Sequence, residues 1–242
     1  NLSRTEFTED IKSLLFKTYT QSETFSTAFA KLLAKIFAGY GLIFLSPLNE
    51  RVKKLCAPIF TDAIENFEKI NSALLVRNSE LKKENYAAQV LVEENSFPFF
   101  YLNESGERLA LRQDFQTGKI KAQKSNVEFD KKKLKKIAGN SPQNLSPNAL
   151  MRPIAQDYLL PTLCYFGGAA EIAYFAQNSV IYKILNRPVT PVRHRASFTI
   201  IESKHRRTLK KYQINFANLF KGKEIVMAET VEKFLNKETA RE

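Results

Sequence analysis

The run TLCYF at 162–166, the Gly167-Gly168 pair and the apolar, helix-forming stretch from Ala169 to Leu185 constrain the fold more than any other part of the sequence. A short apolar strand, a glycine turn and a helix stopped by Pro188 follow one another, and SFTII at 197–201 offers a second strand. Strand, turn, helix and strand in that order belong to a parallel sheet, so the predicted class is α/β. Ligands of such sheets collect at the carboxyl ends of the strands, which is where the glycine pair falls.

The preceding sequence supplies helices and a hairpin. Ser22 or Thr24 is a plausible N-cap for FSTAFAKLLAKIFAGY, and LIFLSP at 42–47 reads as a buried parallel strand closed by proline. From Phe60 to about Glu84 the residues Phe60, Phe67, Leu74 and Leu81 fall seven apart, while the companion positions Ile64, Asn71 and Asn78 turn polar. That pattern predicts one long helix packed on its own domain rather than a coiled coil. FPFFYL and RLALR, separated by NESGE, predict a β-hairpin with Gly106 in its turn. Ser146-Pro147 reads as the cap and first residue of a short helix. Three segments result: 1–59 with helices and a first strand of the core, 60–143 with a long helix, hairpin and Lys-rich insertion, and 144–242 with the strand–turn–helix–strand unit and C-terminal helices.

The net charge of +12 raises a polyanion as partner, but the excess is local. Residues 119–136 carry eight lysines against Glu128 and Asp130, and residues 203–211 carry five further cations, so these two segments hold nearly all of it. Neither has the interleaved aromatics of an RNA-binding strand, and both read as solvated helix faces; a non-catalytic polyanion- or nucleic-acid-binding module using 119–136 and 203–211 is the competing function class. Cys56 and Cys164 are too far apart and too few for a disulfide scaffold or soft metal site, and no metal is expected. No window is apolar enough to span a membrane and no signal peptide is visible, which predicts a cytoplasmic location. The chain begins at Asn1 and stops in FLNKETARE, so it is expected to be a piece of a longer protein.

Several polar groups inside the apolar stretch 144–177 are candidates for chemistry. The amides of Gly167 and Gly168 can approach an anion at a helix N-terminus, although tight turns also take glycine for geometry alone. Glu171, in the first turn of that helix with Tyr174 three residues on and Asn178 seven on, either answers the helix dipole or serves as a base or amine ligand. Arg152 and Asp157 form either an internal ion pair or an arginine clamp for a carboxylate, oriented by the aspartate. Cys164 lacks a nearby histidine and reads as a packed thiol, and His194 between Arg193 and Arg195 is either part of an anion pocket or solvated.

The order SPN.L.RP..QD..LPT..Y.GG..EIAY.AQ, followed by RASFTIIE, resembles the bacillithiol-biosynthesis cysteine-adding enzyme family of cysteine ligases. The matching residues include Ser146, Pro147, Asn148, Arg152, Gln156, Asp157, Tyr165, Gly167, Gly168, Glu171, Tyr174, Gln177 and Arg195; weaker likeness runs through 24–60 and the hairpin. Ala169 and His194 stand where the family has proline, and the family's N-terminal glycine- and glutamine-containing loop has no counterpart. The resemblance implies a Rossmann-like core with inserted connecting peptides, a C-terminal coiled coil giving a homodimer in the whole protein, and ligation of cysteine to glucosaminyl-malate; ATP or another nucleotide is the candidate cofactor, with the activation of cysteine left open. It further implies that Gly167, Gly168, Arg152 and Arg195 bind substrate anions, and that Glu171 meets the attacking amine with Asp157, Tyr174 and Gln177 orienting the groups. A piece lacking the remaining elements is expected to be inactive by itself.

Overall fold

The computed structural model describes residues 4–21 and 23–239. The chain divides into two compact units, residues 1–194 and 195–242, and the divisions expected at 59 and 143 fall inside the first.

Helices α1 (Thr8–Thr18) and α2 (Phe25–Ile36) open the first unit. Thr24 caps α2 by accepting from the Thr27 amide at 3.2 Å; Ser22, the other expected cap, lies outside the described residues. Residues 42–46 are not the expected strand. They pair with nothing among the described residues, and Ile43 is 90% exposed, because a strand exists only where a neighbour takes its amides and carbonyls.

The expected long helix is broken. After α3 (Glu50–Leu55), α4 (Ala57–Glu65) and α5 (Phe67–Lys83) meet at Asn66, whose ψ of 15° interrupts the helical path. The predicted stripe nevertheless faces inward: Phe60, Ile64, Phe67, Asn71, Leu74, Asn78 and Leu81 are all buried. The polar members are bonded there. Asn71 Nδ2 donates to the carbonyls of Glu93 and Glu94 at 3.0 and 2.5 Å, and Asn78 Oδ1 accepts from Gln177 at 2.8 Å.

The hairpin forms as β1 (Ser96–Leu102) and β2 (Arg108–Gln113), with Gly106 at φ 77° in its turn. With β3 (Ile120–Ala122), β4 (Glu128–Phe129) and β5 (Leu145–Pro147) they make an antiparallel sheet of order β4-β3-β2-β1-β5. Its buried face carries Phe97, Phe99, Leu109 and Leu111. The rings of Phe99 and Phe97 lie 5.0 and 4.9 Å from those of Phe60 and Phe67, so aromatic contacts fasten the sheet to α4 and α5. Helix α6 (Lys131–Asn140) covers the same core with Leu134 and Ala138.

Ser146 and Pro147 do not begin a helix. They pair with Phe100 and Phe99 in β5, and Asn148 takes the capping role, its Oδ1 accepting from the amides of Leu150 and Met151 at 3.0 and 2.9 Å before α7 (Arg152–Leu159). The parallel pair is β6 (Tyr165–Gly167) and β7 (Val192–His194), joined through α8 (Ala169–Ile184). The strand expected at 197–201 is therefore displaced to 192–194, and Phe198 and Ile200 are left about 90% exposed with no described strand beside them. The fold is α/β, with a parallel crossover beside a larger antiparallel sheet. The second unit contains α9 (Ser203–Lys211) and α10 (Lys223–Thr239), held together in part by Tyr212 edge-on to Phe234 at 5.8 Å.

Candidate functional site

The turn from β6 into α8 places Gly167 where an added side chain would crowd its neighbours: a Cβ there would stand 3.0 Å from Glu171 Cβ and 3.3 Å from the Tyr165 ring. That close approach lets Glu171 fold back over the turn. Its Oε2 accepts from the Gly168 amide at 2.7 Å and its Oε1 accepts from the Tyr165 hydroxyl at 2.8 Å. The carboxylate thus answers the positive end of α8 and is fixed at both oxygens. Burial, the adjacent Tyr174 hydroxyl and the Glu171 carboxylate push the Tyr165 phenol well above its ordinary value, so it stays a donor to Glu171. Tyr174 Oη is buried beside it and has no hydrogen-bond partner among the described residues. Across the strand pair Gly167 stands opposite the exposed His194, both at the carboxyl ends of their strands. Arg195 follows as the first residue of the second unit.

Asp157 does not pair with Arg152. Arg187 holds it instead, with Nη2 and Nε 2.8 and 3.2 Å from Oδ2, while Oδ1 accepts from the Thr162 amide at 3.1 Å. The aspartate thereby ties α7 to the segment entering β6 and to the loop after α8. Gln177, expected near a ligand, is fully buried; its amide donates to Asn78 Oδ1 and the Val90 carbonyl and accepts from the Val90 amide, so its polar atoms are engaged in packing α8 on α5. Arg152 is exposed and lies along a different cleft, with Arg108 and Arg112 of β2; Gly167, Gly168 and Glu171 do not line it. The structure therefore gathers Gly167, Gly168, Glu171, Tyr165 and Tyr174, sets Asp157 behind them as a brace, and separates Gln177 and Arg152.

Reading the sequence missed Arg187, Arg108 and Arg112. The two β2 arginines were accessible from the alternation in RLALR, which places positions 108, 110 and 112 on one face; nothing local joins Arg187 to Asp157. Cys56 is buried and Cys164 half-buried, and among the described residues no group of three or more His, Cys, Asp or Glu comes together as a metal site. Much of the Lys-rich charge is paired: Lys121 with Asp114, Lys119 with Glu128, and Lys131 and Lys135 with Glu65. The two basic segments fall in different units. No described helix is long and apolar enough to cross a membrane.

The family model described as the bacillithiol biosynthesis BshC N-terminal Rossmann-like domain matches residues 1–196. A protein of Koribacter versatilis named "Putative cysteine ligase BshC" is 36% identical over 225 residues, covering 92% of this chain and 41% of that protein. Proteins of the same name from Solibacter usitatus and Oceanobacillus iheyensis are 33% and 32% identical over 89% and 90% of this chain. The chain spans about 40% of the length of these curated relatives. With the α/β crossover and its glycine turn in place, the chain belongs to the BshC family and carries that family's N-terminal Rossmann-like domain.

Proposed function

We propose that the whole protein is a cysteine ligase, forming a carbon–nitrogen bond between the carboxyl group of cysteine and the amine of glucosaminyl-malate to give bacillithiol. The family match across residues 1–196 carries this reading, since the relatives are named as cysteine ligases. The geometry supports a defined part in it. Glu171, fixed by Tyr165 and Gly168 at the carboxyl ends of β6 and β7, presents negative charge where an amine is to be held and relieved of its proton. Asp157 is a positioning residue, acting through the Thr162 amide and Arg187.

A nucleotide that activates the cysteine carboxylate is part of this reading, but its phosphates do not fit the N-terminus of α8. The Gly168 amide there already serves Glu171, and a second anion would meet that carboxylate. Arg195 remains a candidate substrate contact, and dimerisation belongs to the whole protein.

The deciding experiment measures low-molecular-weight thiols by mass spectrometry in the source bacterium with and without the parent gene. Loss of bacillithiol with accumulation of glucosaminyl-malate is expected, and an unchanged thiol pool would overturn the reading. Complementation with Glu171→Gln in the whole protein then tests the site: a fall in bacillithiol of about a hundredfold is expected for loss of a positioned proton acceptor, against full restoration if Glu171 only caps α8.

A further inference from the structure

Along β1 and β2 lies a cleft of about 300 Å³ whose wall includes Phe100, Arg108, Ala110, Arg112, Asn148 and Arg152. Strand alternation puts Arg108, Ala110 and Arg112 on the face of β2 opposite the buried Leu109 and Leu111. The register sets Ala110 against Phe100, so the cleft has an apolar strip between its cations.

The three arginines differ in what they already hold. Arg112 is satisfied, with Nη1 donating to Ser96 Oγ at 2.6 Å and Nη2 2.9 Å from Glu93 Oε2. Arg108 Cζ lies over the Phe100 ring, 3.9 Å from its centre, and Nη2 donates to the Pro147 carbonyl at 3.0 Å; the guanidinium has no carboxylate partner among the described residues. Arg152 is the first residue of α7; its amide donates to the Asn148 carbonyl at 2.9 Å, while its guanidinium makes neither hydrogen bond nor ion pair with a described residue. The Arg152 charge acts on Arg108, which, after burial, is the second cause that lowers the Arg108 pKa. Two guanidinium groups on the wall of one cleft, with fork-like donors unspent and no ion pair to a described residue, form an arrangement that a ligand with complementary charge relieves.

We propose that this cleft binds a small organic dianion, its two anionic groups taken by Arg108 and Arg152 and its carbon skeleton lying on Phe100 and Ala110. Arg108 is held by its cation–π contact with Phe100 and its bond to Pro147, so little ordering remains for it on binding. The open side of the cleft and its volume suit a short chain rather than a macromolecule. Arg152, which the family resemblance ties to substrate anions, lines a cleft that the Glu171 turn does not, and binding alone reads the proposal whether or not the ligase reading holds.

Isothermal titration calorimetry of the protein with succinate, acetate and inorganic phosphate tests it. Succinate is expected to bind saturably at one site, with acetate and phosphate each about tenfold weaker or worse, since each engages only one end. Arg152→Gln, an exposed change that leaves the fold intact, is expected to weaken succinate about tenfold or more, and Arg108→Gln to do the same. Absence of saturable succinate binding, equal affinity for acetate or phosphate, or indifference to Arg152→Gln would overturn the proposal.

Discussion

Arg187 reaches back 30 residues to hold Asp157, with Nη2 2.8 Å from the carboxylate and 3.2 Å from the main-chain oxygen of the same residue. The Asp157 side chain is 8% exposed, so little water reaches the pair. Removing one member of a buried pair leaves the other charge uncompensated, and Arg187→Ala is expected to cost about 3–5 kcal/mol. Urea denaturation followed by circular dichroism reads the loss; a change below about 1 kcal/mol would show that water replaces the arginine.

The two glycines of helix and turn should respond in opposite directions. Gly167→Ala forces a methyl to within 3.0 Å of Glu171 Cβ, and is expected to destabilise by about 1–3 kcal/mol while pushing the carboxylate off Tyr165. Gly139 sits within α6 with no atom within 4 Å of an added Cβ, so Gly139→Ala is expected to stabilise by about 0.5–1 kcal/mol. Thermal melting of the two variants checks both signs.

The thiols should separate by reactivity. Burial pushes the Cys56 thiol up to about 11, with the charge of Lys53 opposing, while Cys164 is half-buried. At pH 8 iodoacetamide is expected to modify Cys164 in the native protein and Cys56 only after denaturation, as peptide mapping would show. Because folding favours the neutral thiol, the contribution of Cys56 to stability is present below its ordinary value of 9.0 and is lost as pH rises from there to about 11. Cys56→Ala should flatten that part of the pH–stability curve.

At the acid end the turn between β2 and β3 is the sensitive element. A hydrogen bond from Lys121, then one from the Gln116 amide, holds the Asp114 carboxyl down to about 2 from an ordinary 3.8. A depressed carboxyl contributes stability above its unfolded value and loses it as pH falls through its folded one, so the contribution of Asp114 fades between about pH 4 and 2. Amide exchange at Gln116 and Thr117 should accelerate over that window, and Asp114→Asn should remove the pH dependence.

Lys53 shows why a polar group in the core gave no signal in the sequence. It is 5% exposed, yet its ammonium meets no carboxylate among the described residues and donates to the carbonyls of Gln143 and Leu145 at 2.9 Å, ninety and more residues away. Burial, then Arg108, lowers its pKa. Asp157 follows the same logic: its short-range neighbour Arg152 was a reasonable partner on sequence spacing, and the fold chose Arg187.

Local physics was legible where a few adjacent residues suffice. The Thr24 cap, the hairpin closed by Gly106, the inward stripe from Phe60 to Leu81 and the Glu171 carboxylate in the first turn of α8 each rest on contacts within a few positions, which the side-chain periods of helix and strand set directly. Two strands were misread, because LIFLS and SFTII have the composition of buried strands but become strands only if another strand supplies partners for their backbone; among the described residues none does, and the parallel pairing settles on 192–194. The sequence alone therefore determined the local elements and the glycine turn that carries Glu171. Only the tertiary structure decided which distant charges meet, placing Arg187 on Asp157 and leaving Arg108 and Arg152 together, because pairing across tens of residues is selected by packing of the whole domain and not by spacing along the chain.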